Sequence, residues 1–280
     1  MFGKLETIAQ STSELGEGPL WDSVHKTLFY VDIRGKAIRS IEYSSGITKD
    51  IPLPQQVGAI TLDKDGGLVA ALEDGIYFVD EDGTVQIAHE EVPLKGSRFN
   101  DGKTGPDGSF YVGRMDEGGK AAFYRLDPDG TLTELFDGVG TSNGLDWSLD
   151  EKTLYYVDTA TARIDAFDFN RGEGTLINRR TVMPIPAEMG LPDGMTLDCQ
   201  GMLWLALWGG HKVVRIDPGA KAVLETIPLP VAQVSCCAFA GDDLRDLIIT
   251  TARVGQKDPQ AGSVFRIRVD VPGRLPYRFG

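Results

Sequence analysis

The stretch Asp63-Lys64-Asp65-Gly66-Gly67-Leu68-Val69-Ala70-Ala71 places an aspartate and a glycine in a tight turn directly ahead of an apolar run. Asp-Gly supplies positive φ at low steric cost, and the residues that follow suit a pleated strand. The same strand–turn–strand signature returns as Gly105-Pro106-Asp107-Gly108-Ser109-Phe110-Tyr111-Val112-Gly113 and as Leu197-Asp198-Cys199-Gln200-Gly201-Met202-Leu203-Trp204-Leu205-Ala206. Two copies carry a longer turn, one running from Trp21-Asp22 to Tyr30-Val31-Asp32 and the other from Trp147-Ser148 to Tyr156-Val157-Asp158; a weaker sixth runs from Ala238 to Thr250. Most copies continue into a third strand, as in Lys212-Val213-Val214-Arg215-Ile216-Asp217, and a fourth, as in Thr131-Leu132-Thr133-Glu134-Leu135-Phe136. The copies begin near Gly18, Ala59, Gly102, Gly144, Gly194 and Ala238, 41 to 50 residues apart. Four strands in each repeat of about 40–50 residues is the period of propeller blades. The sequence therefore predicts an all-β, six-bladed β-propeller, four antiparallel strands per blade, as a single domain over residues 1–280. A β-sandwich does not usually repeat at this length. The segment before Gly18 is expected to pair with the last blade, closing the ring and covering its free edges.

Bulk properties narrow the function. Against 28 Lys and Arg stand 41 Asp and Glu, a net charge of −13, and no basic stripe offsets it; nucleic acid is not an expected partner. No apolar run is long enough for a membrane span, and the start, Met1-Phe2-Gly3-Lys4-Leu5-Glu6, lacks the basic-then-apolar pattern of a signal peptide. Three cysteines, Cys199, Cys236 and Cys237, are no disulfide framework, so reduced thiols and a cytoplasmic location are expected. His25, His89 and His211 are scattered, and no Ser-His-Asp set or phosphate loop is visible. Trp204 and Trp208 read as inter-blade packing or pocket wall, and Phe29, Tyr30, Tyr155 and Tyr156 as packing.

Polar residues recur in phase just before the first strand of successive repeats. They are Glu17 in Gly16-Glu17-Gly18-Pro19, Asn100 and Asp101 in Arg98-Phe99-Asn100-Asp101-Gly102, Asn143 in Ser142-Asn143-Gly144-Leu145, and Asp193 in Pro192-Asp193-Gly194-Met195. First strands line the channel of a propeller, so these side chains are expected to converge on one mouth of it. Asn-Gly and Asp-Gly are common turn formers, but turn chemistry alone does not require the same phase in several blades. Converging carboxylates repel unless neutralised, and oxygen donors of this kind suit a hard divalent cation.

At these residues the sequence resembles the SMP-30/gluconolactonase/regucalcin-like family, essentially over its full length. The resemblance is carried by Gly16-Glu17-Gly18-Pro19, Arg98-Phe99-Asn100-Asp101-Gly102-Lys103, Ser142-Asn143-Gly144-Leu145, Leu191-Pro192-Asp193-Gly194-Met195 and Ser235-Cys236-Cys237-Ala238-Phe239 in order. It implies a six-bladed propeller with one divalent ion on its axis, Ca, Mg, Mn, Zn and Fe all remaining open, and hydrolysis of a sugar lactone in carbohydrate catabolism. It further implies that Glu17, Asn143 and Asp193 ligate the ion and that Arg98 and Asn100 contact substrate. One departure stands out: a substrate-binding Glu carried by some members of the family falls at Gly118 here, and Glu117, one residue short, is the candidate for its role.

Ester hydrolysis needs a polarised carbonyl, an activated water and a stabilised oxyanion, needs a bound metal can meet. Asp193 is the expected general base, a carboxylate beside the ion, and Asp101 an orienting neighbour. Two alternatives use the same scaffold: a metal-dependent esterase or organophosphate hydrolase, and a metal-binding propeller without catalysis.

Overall fold

The structure, a computed structural model, describes residues 2–10, 13–80, 82–90 and 97–280, with Glu90 described in its backbone only. Twenty-four strands within them form six four-stranded antiparallel sheets, the blades of a propeller. Blade one holds β2 (Gly16–Asp22) to β5 (Thr48–Pro52), and blade two β6 (Ala59–Leu62) to β9 (Val85–Glu90). Blade three holds β10 (Arg98–Thr104) to β13 (Leu132–Val139), blade four β14 (Ser142–Trp147) to β17 (Thr175–Pro184), and blade five β18 (Leu191–Leu197) to β21 (Ala222–Pro228). Blade six consists of β22 (Val234–Ala240), β23 (Asp246–Thr251) and β24 (Val264–Arg268), completed by β1 (Glu6–Ala9). β1 pairs with β24 antiparallel, so the first strand of the chain closes the last blade, as expected from the sequence. Among the described residues the helical segments are two short 3-10 turns, and no helix is long and apolar enough to cross a membrane.

Local chemistry explains the repeat. Asp63 accepts at Oδ1 from the amides of Asp65 (2.9 Å) and Gly67 (2.7 Å), while Gly66 takes φ +93°. Asp198 does the same for Gln200 and Met202, and its other oxygen receives the Trp204 indole (3.0 Å) and the Arg215 guanidinium (2.8 Å). The aspartate is thus the hinge of each tight turn, and the glycine supplies the left-handed residue.

Beyond the turn, side chains alternate between two cores. Leu68 and Ala70 pack toward blade one, and Val69 and Ala71 toward blade three. Among the described residues six apolar clusters result, one between each pair of neighbouring blades. Trp204 is buried between blades five and six, and Tyr30 and Tyr156 are likewise buried between blades. Burial on both faces is why the strands read as continuous apolar runs rather than polar–apolar alternation. The inner strands β2, β6, β10, β14, β18 and β22 touch in a ring about the axis.

Candidate axial site

Five of the six inner strands break register at the same level. β2 shifts between Glu17 and Leu20, β10 between Phe99 and Gly102, β14 between Ser142 and Leu145, β18 between Pro192 and Met195, and β22 between Val234 and Cys236. In blades three, four and five the residues inside the shift are Asn100-Asp101, Asn143-Gly144 and Asp193-Gly194, two residues facing one on the neighbouring strand. Such a bulge turns its side chain out of the pleat, which suits residues that must point along the axis instead of between blades. β6 keeps its register and carries no polar residue at this level.

Glycine permits the close approach. A Cβ on Gly144 would stand 2.6 Å from the Asp193 carbonyl oxygen and 2.6 Å from Met195 Cβ; one on Gly194 would stand 2.2 Å from Cys236 Sγ. Each bulge therefore seats against the next blade's backbone, bringing donors from separate blades together.

Side chains from blades one, three, four and five come together at this level. Glu17, Asp101, Asn143 and Asp193 are all buried. Arg98 donates from Nη1 to Asn100 Oδ1 (2.7 Å); Asn100 Nδ2 donates to the Ser142 carbonyl (2.7 Å) and lies 3.4 Å from Asn143 Oδ1. Asn143 Nδ2 donates to Thr159 Oγ1 (2.8 Å) and also reaches the Asp193 carboxylate. Glu17 accepts from the Gly18 amide (2.9 Å) and from the Cys236 thiol, and Asp101 from the Gly102 amide (2.7 Å). Glu117 sits apart from this cluster. It is exposed in the turn after β11 (Phe110–Met115), at the end where Met115 pairs with Arg98, and so lies on the rim of the same mouth.

Burial and mutual repulsion dominate the electrostatics. Burial, reinforced by Asp101, pushes Glu17 up to about 8. Burial also lifts Asp101 to about 6 against the opposing field of Lys103. Asp193 is held well above the usual carboxylate range by burial and by the charges of Glu17 and Asp101. Arg98, partly open to the mouth yet deep among protein atoms, is pulled down to about 10 by burial against the pull of Glu17. Three carboxyls that resist ionisation together leave the site short of positive charge. Among the described residues no three His, Cys, Asp or Glu side chains are grouped to hold a metal from those types alone. The axial set differs by drawing a donor from an amide: the oxygens of Glu17, Asp193 and Asn143 are the hard donors a divalent cation accepts, and its charge is what the cluster lacks.

Some supporting residues escaped the sequence reading. Asp32 bonds the amides of Glu14 and Leu15, and Asp158 those of Gly140 and Thr141, so a carboxylate fork clamps the chain three residues ahead of both Glu17 and Asn143. The shared Tyr-Val-Asp ending of the two longer-turn repeats was the available signal. Lys103, inside the quoted Arg98–Lys103 motif, reaches Asp146 (2.8 Å) and the Met195 carbonyl (3.0 Å) below the site.

Known proteins are similar to this chain over most of its length. Residues 15–253 match the family model described as the SMP-30/Gluconolactonase/LRE-like region. A regucalcin of Danio rerio is 38% identical, covering 99% of this chain and 98% of its own. A solved regucalcin of Agrobacterium tumefaciens, described as a calcium-binding protein, superposes with a TM-score of 0.92 at 26% identity, covering 99% of this chain and 98% of that one. A solved gluconolactonase of Xanthomonas campestris gives 0.79 at 25% identity, over 96% and 90% of the two chains. With the bulged inner strands and the axial oxygen donors in place, these matches establish that the chain belongs to the SMP-30/gluconolactonase/LRE-like family.

Proposed function

We propose that the chain hydrolyses a sugar lactone to its aldonic acid at the axial mouth, with one divalent cation held by Glu17, Asn143 and Asp193. The observation that carries this reading is the convergence of two buried carboxylates, Glu17 and Asp193, with the Asn143 amide, at the register breaks of separate blades. Relatives support it: one similar structure is described as a gluconolactonase and another as a calcium-binding regucalcin.

When bound, such an ion supplies Lewis-acid polarisation of the lactone carbonyl. The protein's own groups do the rest. Arg98, held by its bond to Asn100 Oδ1, presents its guanidinium to the sugar hydroxyls, and Asn100 is the polar contact beside it; together they fix the ring over the axis. Glu117 reaches the substrate from the rim. Asp193 takes a proton from the attacking water as its oxygen bonds to the carbonyl carbon. The ring C–O bond then breaks, and Asp193 returns the proton to the departing alkoxide.

The test is proton release from a panel of five- and six-membered aldonolactones at near-neutral pH. Turnover that stops with chelator and returns on adding a divalent ion supports the reading; turnover indifferent to chelation refutes its metal half, and no turnover of any lactone refutes the reaction.

A further inference from the structure

The site occupies the mouth at which the inner strands begin. At the opposite mouth, where they end, the last residues of the chain cross the base of the propeller and touch every blade. Pro272 accepts at its carbonyl from the Cys199 amide of blade five (3.0 Å), and Gly273 donates to the Leu244 carbonyl of blade six (2.7 Å). Tyr277 donates to Glu151 of blade four (2.8 Å), and Arg278 reaches Asp22 of blade one (2.8 Å) and the Asp63 carbonyl of blade two (3.2 Å). Phe279 donates to the Leu62 carbonyl of blade two (2.9 Å), and Gly280 to the Gly108 carbonyl of blade three (3.1 Å).

Midway, Arg274 turns into the channel. Its Nη2 donates to Asp146 Oδ1 (3.0 Å) and to the Trp147 carbonyl (2.8 Å). The other oxygen of Asp146 holds Lys103, the cation whose field bears on Asp101. Arg274, Asp146 and Lys103 thus form one chain of charges from the far mouth to the underside of the axial cluster. The channel between holds a cavity of about 80 Å³, roomy enough for water, with Asp101, Lys103, Cys236 and Cys237 among its walls and Leu275 to Tyr277 as its base.

We propose that the segment Pro272–Gly280 is the floor of the axial channel and that Arg274 is a positioning residue. Arg274 pins the floor on Asp146 and, through that carboxylate, fixes Lys103 beneath Asp101. Entry is then confined to the mouth that carries Arg98 and Asn100. The floor is independent of what the site hydrolyses; the effect of Arg274 on turnover rests on the lactonase reading.

Thiols report the floor without reference to activity. Cys236 and Cys237 are buried on the channel-lining strand β22, the Cys236 thiol toward Glu17 and the Cys237 thiol toward the Trp204 carbonyl between blades five and six, whereas Cys199 is exposed. Titration of the native protein with the neutral disulfide 4,4′-dithiodipyridine is expected to modify Cys199 alone. Arg274→Met, and a chain ending at Val271, are expected to raise the modification rate of the buried pair by about tenfold or more, the scale of losing a charged hydrogen bond; Arg274→Lys stays near the native rate. In lactone hydrolysis, Arg274→Met is expected to lower kcat about tenfold with KM little changed, and to add nothing to Lys103→Met. Fast reaction of all three thiols in the native protein, or a folded Arg274→Met with only one reactive thiol, overturns the floor. Additive effects of Arg274→Met and Lys103→Met overturn the positioning role. If the shortened chain fails to fold, the point variants decide, and if no lactone is turned over the thiol rates still judge the floor.

Discussion

Asn143 is oriented by Thr159: its Nδ2 donates to the threonine hydroxyl at 2.8 Å, and that hydroxyl donates on to the Pro192 carbonyl at 2.8 Å. The bond holds the amide in one orientation and, through the Pro192 carbonyl, ties blade four to blade five one residue before Asp193. Thr159→Val keeps the shape and removes the acceptor. Divalent-ion affinity is expected to fall about 10- to 100-fold, the usual cost of losing a group that orients a ligand, with a small change in melting temperature. Calorimetric titration with Ca²⁺ and Mn²⁺ checks this; unchanged affinity would mean that Asn143 needs no such support.

Gly144→Ala puts a methyl group 2.6 Å from the Asp193 carbonyl oxygen and 2.6 Å from Met195 Cβ. No flexible side-chain end is there to give way, so blades four and five must separate. Destabilisation of about 1–3 kcal/mol is expected, as for other overpacked cores, read as a lower midpoint in denaturant.

The axial carboxyls make stability depend on pH and on metal together. Glu17 rises from 4.5 to about 8 on folding, and Asp101 from 3.8 to about 6. The folded, metal-free protein therefore holds protons that the unfolded chain releases, so rising pH between those limits favours unfolding as far as these groups are concerned. A divalent ion favours the ionised forms and reverses the trend. The gap in melting temperature between ion-loaded and chelated protein is expected to widen from about pH 5 to about pH 8, with proton release on ion uptake. A gap that does not change with pH would separate the ion from these carboxyls.

Substrate contacts are expected to divide by depth. Arg98 is bonded into the cluster through Asn100 (2.7 Å), whereas Glu117 stands exposed on the rim. Glu117→Gln is expected to raise KM a few-fold with kcat intact, as for uniform binding. Arg98→Lys, which loses the planar fork, is expected to lower kcat/KM by about 100-fold, or about 2.7 kcal/mol. Steady-state kinetics on the preferred lactone checks both.

Much of this was legible in the sequence for a physical reason: a propeller repeats its local chemistry. The Asp-Gly turns at Asp63, Asp107 and Asp198 mark blade spacing because each aspartate must bond the amides of its own turn, and the polar–Gly pairs at Asn143 and Asp193 mark the axis because each bulge needs a donor and a space. What stayed hidden depends on contacts between distant segments. Thr159 lies 16 residues from Asn143 and meets it only when β14 and β15 (Thr153–Asp158) pair. Arg274 lies 128 residues from Asp146, and no local pattern links the tail to the channel. Glu117 is legible as a near-match in position, but exposure on a turn is a property of the fold.

Asp193→Asn tests the axial chemistry most directly, because it keeps an oxygen on the axis and removes the charge and the proton acceptor. Lactone turnover and divalent-ion affinity should be measured on the same preparation, beside the unaltered protein. A folded protein with weakened ion binding is expected, whose turnover at saturating ion is at least about 1,000-fold lower, the scale of a lost proton-transfer group compounded with a weakened ligand set. Turnover within a few-fold of the unaltered protein would place the chemistry elsewhere.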